Sequence, residues 1–582
     1  MRNYLLLAAI VLVCVVPFVS RAVYLDEHIY LQIARSAQTN WMFPQDTPET
    51  FFGIVVPNFA AHTHPPVGEY FLALLYSAMG SFREVPFRLA FSVFSIAAVL
   101  AFYNLARRFT PHPFLVALML AFSPAFFVYS PTLMMDIPML AFLLVGFALY
   151  FGYAQGRRAH LPLASLCFIL AVGTGYTALV PLGCFFLGLI AAHRPFKELA
   201  AVAAAPAALA VWLVAMTIHF GEFPLARTVG YFEMHGSHVR NVLATLSFLG
   251  SVAMFPWIVG AKRWIAIGGV ALAFLLTLFV SWDLLGYRLW YIALASSGFA
   301  VLAAFAAGAK RLVSAGKNHG EAFLMLWFPA VLIFFIVVGD MINARYILLA
   351  VPPLYLVIFG EASERGLIAM LIPTAILSFV LAYADFVFVN SYRDWVHSTV
   401  TPLQQQGFRV WSGAESGLRF YLEQTGSQEL AAKDSRPQPG DLIVRHQLYH
   451  YESELLMLLK AFETNSGFPV RTYNAAAGAG FHDSTLGLVP FTLSHAPFDR
   501  IEVAEVSPLP GAVWSPNGPI YKQSEPEREF PMRLPSNSKI EYDLEGDGTV
   551  AVMSNGIHLI KGSPPIIVWR NFRIVPKQFA AQ

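Results

Sequence analysis

Thirteen apolar stretches, at residues 4–19, 87–105, 114–130, 137–155, 161–176, 178–192, 199–219, 241–260, 264–281, 288–308, 322–339, 345–360 and 366–386, alternate with short polar connections. Apolar segments in such number need lipid around them, and in lipid a backbone must satisfy its own polar groups, so each reads as a membrane-crossing helix. Several fall short of the ~20 residues of a straight crossing, which implies tilt or displaced ends. Composition agrees, with 57% of the 582 residues hydrophobic and 13% charged, roughly half the charge of a soluble domain. A net charge of +2 and the lack of a basic block give no basis for nucleic-acid binding. Cys14, Cys167 and Cys184 all lie in apolar stretches, so the polar C-terminal part has no disulfide framework. Arg2 and the apolar run after it resemble a secretory signal, but without a small-residue cleavage pair they read as an uncleaved first helix.

Charge asymmetry sets the orientation. With the N-terminus cytoplasmic, the inner connections carry Arg107-Arg108, Arg157-Arg158, His193-Arg194 with Lys197, Lys262-Arg263, and Lys310-Arg311 with Lys317. The outer ones carry Asp26-Glu27, Asp136, Asp283 and Asp340. That is the positive-inside bias. Counting the short apolar run 67–80 as a crossing would invert every later loop, so it is expected to be an interfacial helix on the outer face. The expected fold is a polytopic α-helical membrane protein of about 13 transmembrane helices in the cytoplasmic (inner) membrane. Residues 1–386 form the transmembrane domain, with 20–86 an outer loop bearing interfacial helices. Residues 387–582 form an extracytoplasmic mixed α/β domain, with strands expected at 441–444, 501–503, 550–552 and 565–569 and a helix over 451–462.

Four polar clusters fall on the outer side. Asp26-Glu27 follows the first stretch and is either a helix cap with favourable first-turn charge or a general base in a half-desolvated pocket. His62 and His64 lie two apart before Pro65-Pro66, as ordinary loop residues or as ligands for phosphate or a metal. Asp136, in Met134-Met135-Asp136-Ile137-Pro138, either caps the next helix or shares a site with Asp26. Arg345 either snorkels to the interface or clamps an anionic headgroup.

Taken in order, Asp26-Glu27-x-x-Tyr30, His64-Pro-Pro-x-Gly-x-Tyr70, Met134-x-Asp136-x-Pro138 and Asn343-x-Arg345-Tyr346-x-Leu-x-x-x-Pro-Pro-Leu354 resemble the GT-C glycosyltransferases. The branch most resembled holds the protein O-mannosyltransferases and aminoarabinose-lipid A transferases, over about residues 1–390. The resemblance implies a polyprenyl-phosphate sugar donor, an acceptor lipid, glycan or protein, and inverting transfer outside the cytoplasmic membrane. It implies Asp26 as the base, Glu27 and Asp136 shaping the pocket, and Arg345 on the donor phosphate, with His62, His64, Tyr30 and Tyr346 lining the substrate site. Relatives often carry a Lys where Thr174-Gly175-Tyr176 stands here, so another cation is needed. Arg227, His235 and His238, in the 220–240 loop, are the candidates.

No cofactor is required by this reading, although the carboxylates and histidines leave a divalent metal open. Two other readings stand beside it: a transporter or flippase of lipid-linked glycans, whose charges belong near the bilayer midplane, and a non-catalytic envelope-assembly subunit.

Overall fold

The structure, a computed structural model, describes the chain apart from residues 52–53, 225, 227–236, 254–260, 281–283, 315–321, 431–436, 439, 448–455, 507–512, 516–517, 524–527, 531–537, 546–548, 554–555, 561–566, 577 and 580–582. Helix underlies each of the thirteen apolar stretches. Among the described residues, five helices are long and apolar enough to cross a membrane: Glu84–Ala106, Asp136–Ala154, Phe196–Phe220, Leu285–Ser314 and Glu364–Gln405. Shorter apolar helices, among them Arg2–Phe18, His160–Thr174, Tyr176–Ala191, Arg263–Phe279 and Phe323–Val337, complete a multi-pass membrane protein. The helix Phe196–Phe220 exposes Val211, Val214 and Ile218, an apolar face suited to lipid.

Two stretches are interrupted by proline. The 114–130 stretch breaks into Pro113–Ala121 and Pro124–Phe127, since Pro124 has no N–H to continue the ladder. The 345–360 stretch splits into Ala344–Leu348 and Val351–Ile358 just ahead of Pro352-Pro353, which stand in the first turn of the second helix. Arg345 therefore sits on a helix of 5 residues and not at the end of one continuous span. Elsewhere small residues bring backbones together. A Cβ on Gly250 would fall 1.9 Å from the Leu294 carbonyl oxygen, and one on Gly298 2.0 Å from that of Leu246. Without a hydrophobic drive between helices in lipid, such close approach is what dispersion needs.

At one end of the bundle the helix Glu27–Ser36 packs on Val67–Met79. The latter has 13 residues, ~20 Å of helix against the ~30 Å of a bilayer core. The C-terminal region gathers at this same end. Its five-stranded sheet runs in the order Gln428–Glu429, Val410–Ser412, Leu442–His446, Asp499–Val506, Leu456–Thr464. The first three strands are parallel to one another, and Asp499–Val506 is antiparallel to both of its neighbours. Helix Ser416–Gln424 connects Val410–Ser412 to Gln428–Glu429. Strands Thr549–Met553 and Ile567–Pro576 also form.

The helix expected over 451–462 is corrected by this sheet. Residues 451–455 lie outside the described ones, and Leu456–Thr464 is a strand paired to Asp499–Val506. A short apolar run fits either conformation, and a neighbouring strand that takes up its backbone groups decides the matter.

Candidate active site

The carboxylate of Asp26 accepts a hydrogen bond from Arg345 Nη1 at 2.9 Å, across 319 residues of sequence. Asp26 occupies the N-cap position of helix Glu27–Ser36, yet its side chain makes no cap hydrogen bond. The capping reading is thus not met, because the carboxylate turns to Arg345. On the other side Arg345 Nη1 lies 3.9 Å from Asp136 Oδ2. Asp136 is the first residue of helix Asp136–Ala154, past its N-cap Met135, so it meets the helix dipole and Arg345 together. Asn343 fixes the short helix that carries Arg345 by accepting from the Tyr346 N–H at 2.9 Å. The side chain of Asp26 is 39% exposed and that of Arg345 13%, so the acid faces the opening and the cation lies beneath it. Burial would raise the pKa of Asp26, but the Arg345 guanidinium outweighs it and holds the carboxyl below its usual range.

Glu27 does not join this cluster. It is wholly buried and forms a bidentate pair with Arg88, at 2.9 and 2.8 Å. Its oxygens also accept from the backbone N–H of Tyr24 at 3.1 Å and of Leu133 at 2.8 Å. Arg88 spends its remaining donors on the carbonyls of Arg21, Ala22 and Pro131. The pair therefore fastens the turn before Asp26 to the turn before Asp136. Arg21 extends it, 3.6 Å from Glu27 and 2.8 Å from Asp385, whose other oxygen lies 2.7 Å from His482. The expected pocket-shaping role for Glu27 becomes a positioning one.

His62 Nε2 lies 3.1 Å from Glu69, and its ring stands edge-on to Tyr30 and His64, each at 4.8 Å. His64 lies over Tyr176 at 4.3 Å, and Tyr176 shares a 2.7 Å hydrogen bond with Thr63. Burial, with His62 and Arg345 nearby, pushes His64 well below its ordinary pKa, so it is a neutral imidazole at pH 7. Its Nδ1 is buried with no hydrogen-bond partner among the described residues. Burial, with the Asp26 charge beside it, keeps the Tyr30 phenol protonated. Tyr346 stacks on Phe335 at 4.2 Å, and the Arg345 guanidinium lies 5.6 Å from the Tyr346 ring. Of the candidate cations, Arg227 and His235 lie outside the described residues, while His238 bonds the Ile336 carbonyl at 3.1 Å. No group of three or more His, Cys, Asp or Glu side chains among the described residues is arranged to hold a metal.

Sequence reasoning passes over Arg21, Arg88, Asp385 and His482. Arg88 and Asp385 had a usable signal, since a charge inside or at the edge of an apolar stretch needs a buried partner. His482 had none.

Residues 63–219 match the family model described as dolichyl-phosphate-mannose-protein mannosyltransferase. That match likens a segment of the helical membrane part to a family of membrane mannosyltransferases that use a lipid-phosphate sugar. The matched segment holds His64 and Asp136 but neither Asp26 nor Arg345. Among solved structures, ArnT from Cupriavidus metallidurans bound to undecaprenyl phosphate is similar at 15% identity, over 76% of this chain and 92% of that one. Its TM-score is 0.36, a likeness too loose to carry an argument. No curated protein matches the chain.

Replacing Arg88 by Ala leaves the Glu27 carboxylate buried without its counter-ion. The expected cost is about 3–5 kcal/mol of stability, read as a lower unfolding temperature in detergent. An Arg88→Ala protein as stable as wild type would show that the pair holds nothing together.

Proposed function

We propose that the protein moves a sugar from a polyprenyl-phosphate-linked donor to an acceptor lipid, glycan or protein on the outer face of the cytoplasmic membrane, with inversion at the anomeric carbon. The observation that carries this reading is the Asp26–Arg345 pair, a base and a phosphate-binding cation 2.9 Å apart at the end of the helices. The family description names a dolichyl-phosphate donor, which is of this lipid-phosphate kind. Charges gathered at helix ends also suit surface chemistry better than transport through a midplane site.

The residues divide the reaction between them. An acceptor hydroxyl or amine attacks the anomeric carbon, the bond from that carbon to the phosphate oxygen breaks, and the lipid phosphate leaves with the electron pair. Arg345 binds the phosphate and stabilises the charge that grows on it. Asp26 takes the proton released by the acceptor. The two roles are linked, because a phosphate at Arg345 competes with Asp26 for the guanidinium. Relieved of part of its counter-charge in a partly buried place, the carboxylate becomes a stronger base. Asp136 keeps a second anion near Arg345 and so holds its orientation. His64, uncharged, offers Nδ1 to a sugar hydroxyl and adds no cation for the phosphate.

Three outcomes are expected. Asp26→Asn lowers sugar transfer from a polyprenyl-phosphate donor by about 10²–10⁴-fold while the protein unfolds at the wild-type temperature; wild-type rates would remove Asp26 as the base. The acid limb of kcat/KM, which reports the free enzyme, lies below the ordinary carboxylate range, because Asp26 must be ionised and Arg345 keeps its pKa down. In Arg345→Gln the largest lowering influence is gone, leaving the raising effect of burial against the weaker pull of His62 and His28, so the limb moves to higher pH; a limb that stays put assigns it to another group. Finally, the basic loops support an outer position for 387–582. In a chain cleared of its own cysteines, His495→Cys should react with a membrane-impermeant thiol reagent on intact cells and Arg157→Cys only after lysis, and the reverse pattern would invert the topology.

A further inference from the structure

We propose that the C-terminal region is the clamp that sets the Asp26–Arg345 geometry, with Ser416-Gly417 holding the Asp26 turn, Phe481 to Ser484 holding the Arg345 turn, and His482 joining the two. What the pair does rests on the transfer reading above; how it is held does not.

On the Arg345 side, a loop of the C-terminal region bonds the backbone just ahead of the arginine. The Ala344 N–H donates to the Phe481 carbonyl at 2.9 Å, and the Ser484 N–H to the Ile342 carbonyl at 2.9 Å. Ser484 Oγ accepts from the Ile342 N–H at 2.9 Å. Three hydrogen bonds thus fix residues 342–344, which leaves Arg345 little freedom of approach.

On the Asp26 side, the start of helix Ser416–Gln424 presses on the chain at 23–25. A Cβ on Gly417 would stand 2.4 Å from the Val23 carbonyl oxygen, so only glycine allows this contact. The Val23 N–H donates to the Tyr421 hydroxyl at 2.7 Å, and Ser416 Oγ lies 3.4 Å from the Leu25 carbonyl. Leu25 has φ +53° and Ser416 φ +58°, left-handed conformations that a side-chain-bearing residue keeps only when its surroundings impose them. Leu25 is the residue that aims Asp26.

His482 links the sides. It is 3% exposed, with Nε2 2.7 Å from Asp385 and Nδ1 2.6 Å from the Tyr129 hydroxyl. Its ring lies 6.3 Å from that of Tyr24, two residues before Asp26, and it follows Phe481, which bonds Ala344. Tyr24 is stacked on Tyr392 at 5.9 Å in the same core. These are positioning residues: none reaches the Asp26 carboxylate or the Arg345 guanidinium.

The test uses the full-length protein in lipid nanodiscs, with Ser484→Ala as the mild variant and His482→Phe and Gly417→Ala as stronger ones. Ser484→Ala is expected to raise hydrogen exchange over 340–346 about fivefold, the loss of one hydrogen bond, while exchange in helix Asp136–Ala154 stays as in wild type. Gly417→Ala raises exchange over 22–28. With a polyprenyl-phosphate donor, kcat falls about tenfold or more at little change in donor KM, and the acid limb of kcat/KM moves up toward that of Arg345→Gln. A protein whose only fault is partial unfolding would lose active fraction without moving that limb. Should His482→Phe fail to fold, Ser484→Ala decides alone. Unchanged exchange in folded variants overturns the clamp, as does looser exchange with wild-type kcat and an unmoved limb. If wild type transfers no sugar from any such donor, the transfer reading falls and the exchange arm still decides the clamp.

Discussion

The buried Glu27–Arg88 pair is the constraint on which the polar end of this protein depends. Two unit charges out of water are tolerable only when every donor and acceptor is met. Here the pair meets the carbonyls of Arg21, Ala22 and Pro131 and the N–H groups of Tyr24 and Leu133. The consequence is geometric. The chain before Asp26 and the chain before Asp136 cannot move separately, and Arg345 is left to bridge two carboxylates whose spacing is already set. The Arg21–Asp385–His482 continuation carries the same restraint to the last long helix and into the C-terminal region.

Much of the helical part was legible because lipid imposes a strong pattern, in which apolar length gives helices. The proline breaks at Pro124 and Pro352-Pro353 were legible in principle, yet hydropathy alone carries a stretch straight through them. The functional pairing was half legible. Asp26, Asp136 and Arg345 were visible as charges at the edges of apolar runs, and the structure brings those three together. Which carboxylate of Asp26-Glu27 faces the cleft was not readable, since adjacent helix residues point about 100° apart and the choice depends on Arg88, 61 positions away. The strand Leu456–Thr464 was misjudged because its partner lies some forty residues on, where local periodicity carries no information.

The site also illustrates a tension common to general bases. A cation beside a carboxylate keeps it ionised at every working pH and weakens it as a base in the same stroke. In the reaction proposed above, the residue that binds the leaving group is that cation, which would resolve the conflict, because the substrate's arrival would alter the base. In that proposal His64 fits the same economy of charge, since a neutral ring would leave the phosphate one partner and the acid one competitor.

The Arg21–Asp385 contact joins residues 364 positions apart, and His482 lies further on still. A ribosome delivers Arg21, Glu27 and Arg88 early and Asp385 and His482 last. Most of the membrane helices are therefore made while Arg21 lacks its strongest partner. The polar end closes only when the long helix bearing Asp385 and the loop bearing His482 have been synthesised, so a late stretch of the chain, and not insertion of any one early helix, completes these contacts.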